Sequence, residues 1–465
     1  MSKISEIETW LQENLAALLA EHQVPGAAIA VLADGEVIDH AAGLVNKATG
    51  VESTVDSVFQ IGSITKVWTT TLAMQLVDEG KLDLDRPVVD YLPEFTLGDR
   101  EAAAAMTVRQ LTCHTAGFEG DIFTDTGVGD DCVEKLVATL ADVPQLFAPG
   151  ERFSYNNAGY CVLGRVIEVL RGKCWDDCLR DHLFAPLGLT HAASGPYDAI
   201  RYRAAIGHVA PSPRADPVPA PVWALTRSNS PAGSMLAMRP RDLLTFVRMH
   251  LNDGKADDGT QVVLPESLLA MRESQVEMPD LGGFFSNRWG LGWMLFDWDG
   301  GKVIGHDGGT IGQSAFLRVV PEQGVAIALL TNGGEPLHVY RAIFGKLLDE
   351  LAGIKMPELP RPNPEAAPAD LSRYVGEYSS MVADTVVTSD DDGRLWMERT
   401  PKEIFAELAN APVTKDELLP YRGDTFVASG AQLPGVYMPH AFVGDDDQGR
   451  ARFIHTGRAD RRVSR

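Results

Sequence analysis

Hydrophobic residues recur at helical spacing in three long segments of the chain. At the N-terminus, one amphipathic helix is predicted from the apolar positions Ile4, Ile7, Leu11, Leu15, Leu18 and Leu19. A second run of helix formers extends from Val67 to Glu79 and ends at Gly80, a residue that commonly terminates helices. A third helix is predicted from Tyr160 to Leu170.

Apolar β-type runs dominate two other parts of the chain. The runs Phe316–Val320 and Gly324–Leu330 flank a Pro-Glu-Gln-Gly turn and predict neighbouring sheet strands. Residues 357–369 are proline-rich and predict a semi-rigid linker. After it, short β-type runs alternate with turn clusters such as Asp390–Gly393, a pattern typical of a small antiparallel barrel. The pattern therefore predicts an α/β domain at 1–356, a linker at 357–369 and a β-barrel at 370–465.

Composition and charge narrow the function classes. The chain has 465 residues, 45% of them hydrophobic, which is enough for a sizeable core and two domains. Its 64 Asp plus Glu against 41 Lys plus Arg give a formal net charge of -23. Such acidity argues against nucleic-acid binding and against attraction to an anionic membrane.

The N-terminus and the cysteines predict a cytoplasmic protein. The first residues lack the apolar core of a signal peptide, and no apolar run has the length of a membrane span. An odd number of cysteines, five, fits reduced thiols better than a disulfide scaffold. Cys174 and Cys178 are spaced for one helix face, but without a second ligand cluster they predict no metal site.

The segment Ser63-Ile64-Thr65-Lys66 places a serine one helical turn before a lysine. Residues at i and i+3 share a helix face, so the Lys66 amine should lie beside the Ser63 hydroxyl. A lysine can remove the proton of a serine if burial or a nearby charge lowers its pKa. This S-x-x-K tetrapeptide occurs once in the chain. Alone, it is equally compatible with a helical turn carrying a surface lysine.

Two further motifs follow in order. Tyr155-Asn156-Asn157 should lie on a loop before the third helix, where a lysine ammonium could lower the pKa of the Tyr155 phenol. The amide of Asn157 could bind a substrate amide, although an asparagine helix cap would give the same pattern. His306-Asp307-Gly308-Gly309 precedes the two β runs and predicts a strand whose glycines allow close approach of a ligand.

The order S-x-x-K, Y-x-N and then an imidazole residue followed by x-G resembles the serine β-lactamase and penicillin-binding-protein-like superfamily. The resemblance is closest to its class C-like branch, which also contains esterases, D-stereospecific peptidases and thioesterases. It covers residues 10 to 350 and is supported by the flanking stretches Val24–Val31, Leu111–Phe118 and Ala232–Met235. It implies an antiparallel sheet flanked by helices, together with an all-helical subdomain.

The resemblance also implies a role for each motif residue. Ser63 would be the acylated nucleophile, Lys66 its general base or proton relay, and Tyr155 the proton shuttle that serves the leaving group. Asn157 would bind the substrate amide, and the backbone N–H of Gly309 would join that of Ser63 in an oxyanion hole. His306 stands where many members have lysine, which disfavours recognition of a β-lactam carboxylate, because histidine titrates near neutrality.

Two other residues are candidate substrate contacts. The proline-rich stretch 210–223 is long for a loop and could line the cleft with Trp223, or it could be an exposed connector. In the C-terminal region, which resembles a lipocalin-like domain, Arg458 belongs to a cluster of arginines. It could hold a substrate carboxylate, although a solvated basic end is the simpler interpretation. The barrel itself could be a spacer, or a lid that keeps water from the site.

Together these features predict an acyl-transfer enzyme that needs no metal or organic cofactor. The favoured hypothesis is a stand-alone thioesterase that takes a peptidyl group from a carrier protein in nonribosomal peptide synthesis and cyclises it. The alternative is a D-amino-acid-specific peptidase, amidase or esterase, and a β-lactamase or a non-catalytic penicillin-binding module ranks lower. An α/β-hydrolase is excluded because the chain has no G-x-S-x-G motif.

Overall fold

A computed structural model describes residues 2–212, 215–368, 370–402, 412–430, 433 and 435–463. Pro213 and Arg214 of the proline-rich stretch lie outside the described residues, as do Ala369 at the end of the predicted linker and parts of the predicted barrel domain.

A nine-stranded antiparallel sheet forms the centre of the part of the chain that precedes the predicted linker. Two of its inner strands, Gly26–Ala33 and Val325–Thr331, pair in register from Ala27 opposite Thr331 to Leu32 opposite Ala326. In spatial order the strands are Val51–Glu52, Glu36–Asn46, Gly26–Ala33, Val325–Thr331, Ser314–Val320, Gly301–Gly309, Met294–Trp298, Arg288–Trp289 and Val276–Glu277. The strands predicted on either side of the Pro-Glu-Gln-Gly turn are confirmed.

Helices cover both faces of this sheet. Alternate residues of the strand Gly26–Ala33 point to opposite faces, and both sets are buried. One face packs against the helices Lys3–Glu21 and Pro336–Ala352. The other face packs against Thr65–Asp78 and Pro240–Leu251. The predicted N-terminal helix is confirmed, with Leu18 only half-buried.

Further helices form the subdomain on one side of the helix Thr65–Asp78. The longest is Asn157–Arg171, capped by the Asn156 side chain, which accepts from the Gly159 N–H at 2.6 Å, and ended by Gly172 in the left-handed region. The other α-helices in this part and beside it are Arg100–Ala105, Val108–Thr112, Cys132–Ala138, Trp175–Leu179, Pro196–Ala199 and Pro265–Met271. The third helix thus begins three residues earlier than predicted, because Asn156 caps it.

The C-terminal part is a closed antiparallel barrel of eight strands. The strands are Gly376–Ser379, Ala383–Ser389, Leu395–Pro401, Thr414–Arg422, Thr425–Ala428, Pro439–Asp445, Ala451–His455 and Ala459–Arg462. The first and last strands pair with each other, which closes the barrel, so the described strands present no free sheet edge. The predicted fold class, a β-lactamase-like sheet with helices followed by a small antiparallel β-barrel, is confirmed.

The structure also bears on three features outside the motifs: membrane spans, metal sites and cysteines. None of the helices in the described part of the chain is both long and apolar enough to cross a membrane. Within the same residues, no cluster of three or more His, Cys, Asp or Glu side chains could hold a metal ion. All five cysteines fall in the described ranges and are free thiols, four of them buried.

Candidate active site

Ser63 lies in a tight turn that leads directly into a helix. The 3₁₀ turn Gly62–Ile64 continues into the helix Thr65–Asp78, so Ser63 and Lys66 lie on one face as the spacing predicted. Lys66 Nζ donates to Ser63 Oγ at 3.1 Å. Ser63 is half-buried and lines a cavity, whereas Lys66 is fully buried behind it. A substrate in the cavity can therefore reach the Ser63 hydroxyl, while Lys66 is shielded from water. A serine nucleophile activated by a lysine needs this arrangement.

Glycines allow the backbone around Ser63 to pack tightly against the strand Gly301–Gly309. A Cβ at Gly308 would lie 1.9 Å from the carbonyl oxygen of Ile61 and 3.1 Å from the Ser63 nitrogen. A Cβ at Gly62, whose φ is +51°, would lie 2.6 Å from the Gly309 nitrogen. The backbone N–H groups of Ser63 and Gly309 therefore lie close together at the cavity, as an oxyanion hole would need.

Burial sets the protonation of Lys66. Desolvation lowers its pKa to about 7, so a large share of the side chain is a neutral amine at physiological pH. Its Nζ also donates to the Asn157 Oδ1 at 2.7 Å and to the Ala232 carbonyl at 2.6 Å. It lies 4.8 Å from the ring centroid of Tyr155. The three acceptors, on Ser63, Asn157 and Ala232, match the three N–H groups of the ammonium form. In the neutral form, two N–H groups suffice for Asn157 and Ala232, which leaves the lone pair for the Ser63 hydroxyl, so that the amine can act as a base.

The phenol of Tyr155 is hydrogen-bonded to Ser63 and buried. The expectation that the Lys66 ammonium lowers the pKa of this phenol is wrong. Desolvation raises the pKa of Tyr155 well above its ordinary value, and the hydrogen bond to Ser63 offsets only part of the effect. Tyr155 therefore carries its proton at neutral pH and is suited to donating it.

Asn157 does not stand free to bind a substrate. Its Oδ1 accepts from Lys66, and its Nδ2 donates to Asp121 Oδ1 at 2.7 Å. Asp121 in turn forms an ion pair with Arg458 of the barrel, whose Nη2 donates to Asp121 Oδ1 at 3.2 Å. One N–H of the Asn157 amide remains for a ligand. Asn157 and Arg458 both line the cavity, but each already has a protein partner.

His306 lies on the strand Gly301–Gly309 and faces the cavity. Its Nδ1 is 2.6 Å from the Asp307 carbonyl oxygen. A carbonyl only accepts, so Nδ1 carries the proton and Nε2 is an acceptor without a partner among the described residues. Desolvation, with the Lys66 charge as a smaller cause, lowers the His306 pKa to about 3. The ring is therefore neutral at physiological pH rather than titrating near neutrality as expected.

The cavity has a volume of about 460 Å³, within the usual range for small-molecule sites. Much of its wall is apolar and includes Phe123, Leu225, Phe284, Phe285, Trp289 and Phe316. Trp223 is not on this wall, which corrects its predicted role. Its indole donates instead to the Ala205 carbonyl at 2.9 Å, and Leu225, two residues later, contacts the cavity.

His114 supports Tyr155 from behind. The two rings stack with centroids 4.3 Å apart, and His114 Nδ1 accepts from the Asn156 N–H at 2.9 Å. His114 is fully buried, and desolvation lowers its pKa well below the ordinary value, so the ring is neutral. It thereby fixes the loop that carries Tyr155. The sequence contained this residue in a family-like stretch, but nothing in the stretch pointed to that role.

The barrel contacts the same loop through the hairpin 451–462. The Tyr155 N–H donates to the Gly457 carbonyl at 3.0 Å, and His455 Nε2 donates to the Phe153 carbonyl at 2.9 Å. The Ala459 N–H donates to Ser154 Oγ at 3.2 Å. Three consecutive residues around the phenol are therefore held by the barrel, which the sequence had suggested only as a spacer or lid.

Sequence reasoning missed Asp121 and the aromatic pair Phe284 and Phe285. These residues lie on loops with no motif spacing, and they reach the site only through tertiary packing. In the sequence, Asp121 is distinguished only by its position a few residues after the stretch Leu111–Phe118, and that position alone does not predict a role in the site.

Comparisons with known proteins agree with this geometry. The family model described as Beta-lactamase matches residues 11–350. The chain belongs to this family. Among its relatives, Penicillin-binding protein 4 of Amycolatopsis lactamdurans is 48% identical over 368 residues, covering 79% of this chain and 96% of the relative. The resemblance to the serine β-lactamase and penicillin-binding-protein-like superfamily is thereby confirmed.

Two solved structures show how far the likeness to other β-lactamase-family proteins extends. SurE, crystallised with D-Leu, is 30% identical with a TM-score of 0.78, and the match covers 99% of both chains, including the barrel. The D-amino acid amidase from Ochrobactrum anthropi SV3, complexed with L-phenylalanine amide, is 25% identical with a TM-score of 0.57. That match covers 70% of this chain and 91% of the amidase. Characterised β-lactamase-family members are serine hydrolases.

Proposed function

We propose that the protein is a serine acyl-transfer enzyme in which Ser63 attacks the carbonyl carbon of an amide, ester or thioester. Lys66 removes the hydroxyl proton, the Ser63 and Gly309 N–H groups stabilise the oxyanion, and Tyr155 protonates the leaving group. The resulting acyl-enzyme is released by water or by an amine. The observation that carries the proposal is the buried Lys66 amine, 3.1 Å from Ser63 Oγ with its pKa lowered to about 7.

Within this reaction, we favour a peptidyl thioester delivered by a carrier protein and released as a cyclic peptide. Cyclisation requires that water be kept from the acyl-enzyme while an amine attacks. The apolar wall of the cavity and the barrel hairpin beside Tyr155 support such exclusion. The likeness to SurE, which spans the barrel and was found with D-Leu, supports a D-configured residue in the acyl group.

The second candidate is a D-amino-acid-specific amidase, peptidase or esterase. The likeness to D-amino acid amidase favours it, but that likeness covers only 70% of the chain. A β-lactamase ranks lower because a neutral His306 supplies no positive charge for a β-lactam carboxylate. The nearby Arg318 does not replace that charge, since it is paired with Asp307 at 2.6 and 3.0 Å.

Substrate preference tests these alternatives. We would compare kcat/KM for a peptidyl thioester ending in a D-residue, a D-amino acid amide, a para-nitrophenyl ester and a penicillin, with Ser63→Ala as background. The thioester should be preferred and should yield cyclic product, and His306→Lys should raise the relative rate on the penicillin. A native preference for the amide would support the second candidate, and a preference for the penicillin would contradict both.

A further inference from the structure

A polar network connects the barrel to the nucleophile. It runs from Arg458 to Asp121, from Asp121 to the Asn157 amide, from Asn157 to Lys66 and from Lys66 to Ser63. Arg458 and Asp121 are 337 residues apart in the chain. The side chain of Asp121 is 11% exposed, and Arg458 also lies over the Tyr155 ring at 5.0 Å. Asp121 is therefore largely buried, and Arg458, whose side chain is 40% exposed, covers it from the cavity wall.

The order of charges along this network fixes the orientation of Asn157. With its Oδ1 toward Lys66 and its Nδ2 toward Asp121, each end of the amide meets a complementary partner. A flipped amide would place its oxygen against the Asp121 carboxylate, which is repulsive, and its NH₂ group against Lys66, which is repulsive when that lysine is protonated. Asp121 thus selects the orientation that presents an acceptor to Lys66.

We propose that Arg458 and Asp121 are positioning residues of the active site, which hold Asn157 against Lys66. The proposal rests on the acyl-transfer function proposed for Ser63. It gives the barrel a part in the chemistry through Arg458, and it assigns that arginine a role that does not depend on a substrate carboxylate.

The charges around Lys66 give the direction of each effect. Besides Arg458 and Asp121, the titratable groups facing it are the phenols of Tyr155 and Tyr160, the Cys161 thiol and the neutral rings of His114 and His306. Burial has the largest effect on the pKa of Lys66; the Arg458 charge lowers that pKa further, and the Asp121 carboxylate raises it. Removing either charge should therefore shift the titration of Lys66, in opposite directions.

The rate at which a fluorophosphonate labels Ser63, measured against pH, tests this inference without a known substrate. The probe carries no carboxylate, and its reaction requires the neutral amine of Lys66. In Arg458→Gln the rise of the rate with pH should move upward by about one unit, which lowers labelling about fivefold at pH 7. In Asp121→Asn, which keeps an oxygen for the Asn157 amide, the rise should move to lower pH. The double variant should fall between the two.

Arg461→Ala is the matched control, because Arg461 is an exposed arginine on the strand that follows Arg458. It should leave the profile unchanged. If the two single variants label more slowly at every pH with no shift, their role is structural only and the inference is overturned. If both label like the native enzyme, Arg458 has no role except toward a substrate, which also overturns it. If native Ser63 is not labelled at all, the proposed function itself fails.

Discussion

At the scale of single residues, burial separates the proton-transfer roles of Lys66 and Tyr155. Both side chains are removed from water, and desolvation always disfavours the charged form of a group. It lowers the pKa of Lys66 to about 7 and raises that of Tyr155, so at pH 7 a large share of Lys66 and nearly all of Tyr155 are neutral. In the proposed reaction, neutral Lys66 therefore accepts the proton of Ser63, and neutral Tyr155 still has a proton to donate to the leaving group.

Substitution of the two tyrosines near Lys66 should separate catalysis from stability. Tyr155→Phe removes the proton donor and should lower kcat by about 10²–10⁴-fold. Tyr160→Phe removes a buried hydrogen bond to the Thr112 carbonyl, 2.8 Å long, which should cost about 1 kcal/mol of unfolding free energy and leave kcat within a few-fold. Steady-state kinetics and thermal unfolding of both variants provide the comparison. Equal losses of kcat would contradict the role given to Tyr155.

Residue by residue, the sequence predicted those features of the site that depend on local spacing. Ser63 and Lys66 lie together because three residues make nearly one helical turn. His306 lies on a strand that leads into the two apolar β runs that follow it. The pKa of Tyr155 was misjudged because burial of a phenol cannot be seen in a motif. The role of Trp223 was misjudged because it requires knowing which side of a loop faces the cavity.

At the scale of elements, the barrel hairpin 451–462 is the piece that the sequence could least predict. Its strands are short β runs, and nothing in them indicates contact with a loop some 300 residues earlier. The hairpin contacts this loop mainly through backbone groups and through one histidine, so the contact produces no recognisable motif in the sequence. His455 accepts the Gly457 N–H on Nδ1 at 3.1 Å and donates from Nε2 to Phe153, which fixes the turn and the loop together.

Gly457 lies at the centre of this contact. Its φ is +95°, and a Cβ would lie 3.1 Å from the Phe285 ring, so Gly457→Ala should displace the carbonyl that accepts from Tyr155. Gly449, in the preceding hairpin turn, has a φ of +74° and open space around it. Each substitution should cost roughly 1–3 kcal/mol of stability from backbone strain. Kinetics should show a lower kcat only for Gly457→Ala, and an equal kcat in the two variants would refute this role.

At the scale of the whole molecule, Glu119 joins the catalytic part to the barrel. Its Oε1 accepts from the Met381 N–H at 2.9 Å, and it is buried near Asp121 and Asp460. Desolvation, together with these neighbouring carboxylates, raises the pKa of Glu119 to about 7. A carboxyl whose folded pKa is raised contributes stability that is fully present below its unfolded pKa. That contribution is lost as the pH rises through the folded pKa.

Glu119→Gln keeps an oxygen for Met381 and removes the titration. Relative to the native protein, the variant should gain roughly 1–3 kcal/mol between pH 5 and pH 8, because only native Glu119 ionises across that window. Thermal unfolding at several pH values measures the difference. Glu398→Gln, at an exposed position on the barrel, is the control and should show a constant difference. A constant difference for Glu119→Gln as well would show that its burial has no such consequence.

The identity of the nucleophile is the central claim, and mass spectrometry of the labelled protein tests it most directly. A fluorophosphonate should add once to the native chain, peptide mapping should place the adduct on Ser63, and Ser63→Ala should remain unlabelled. Lys66→Ala should label far more slowly while keeping its thermal unfolding temperature within a few degrees. An adduct on another residue that lines the cavity, such as Ser234, or full labelling of Ser63→Ala, would contradict the account.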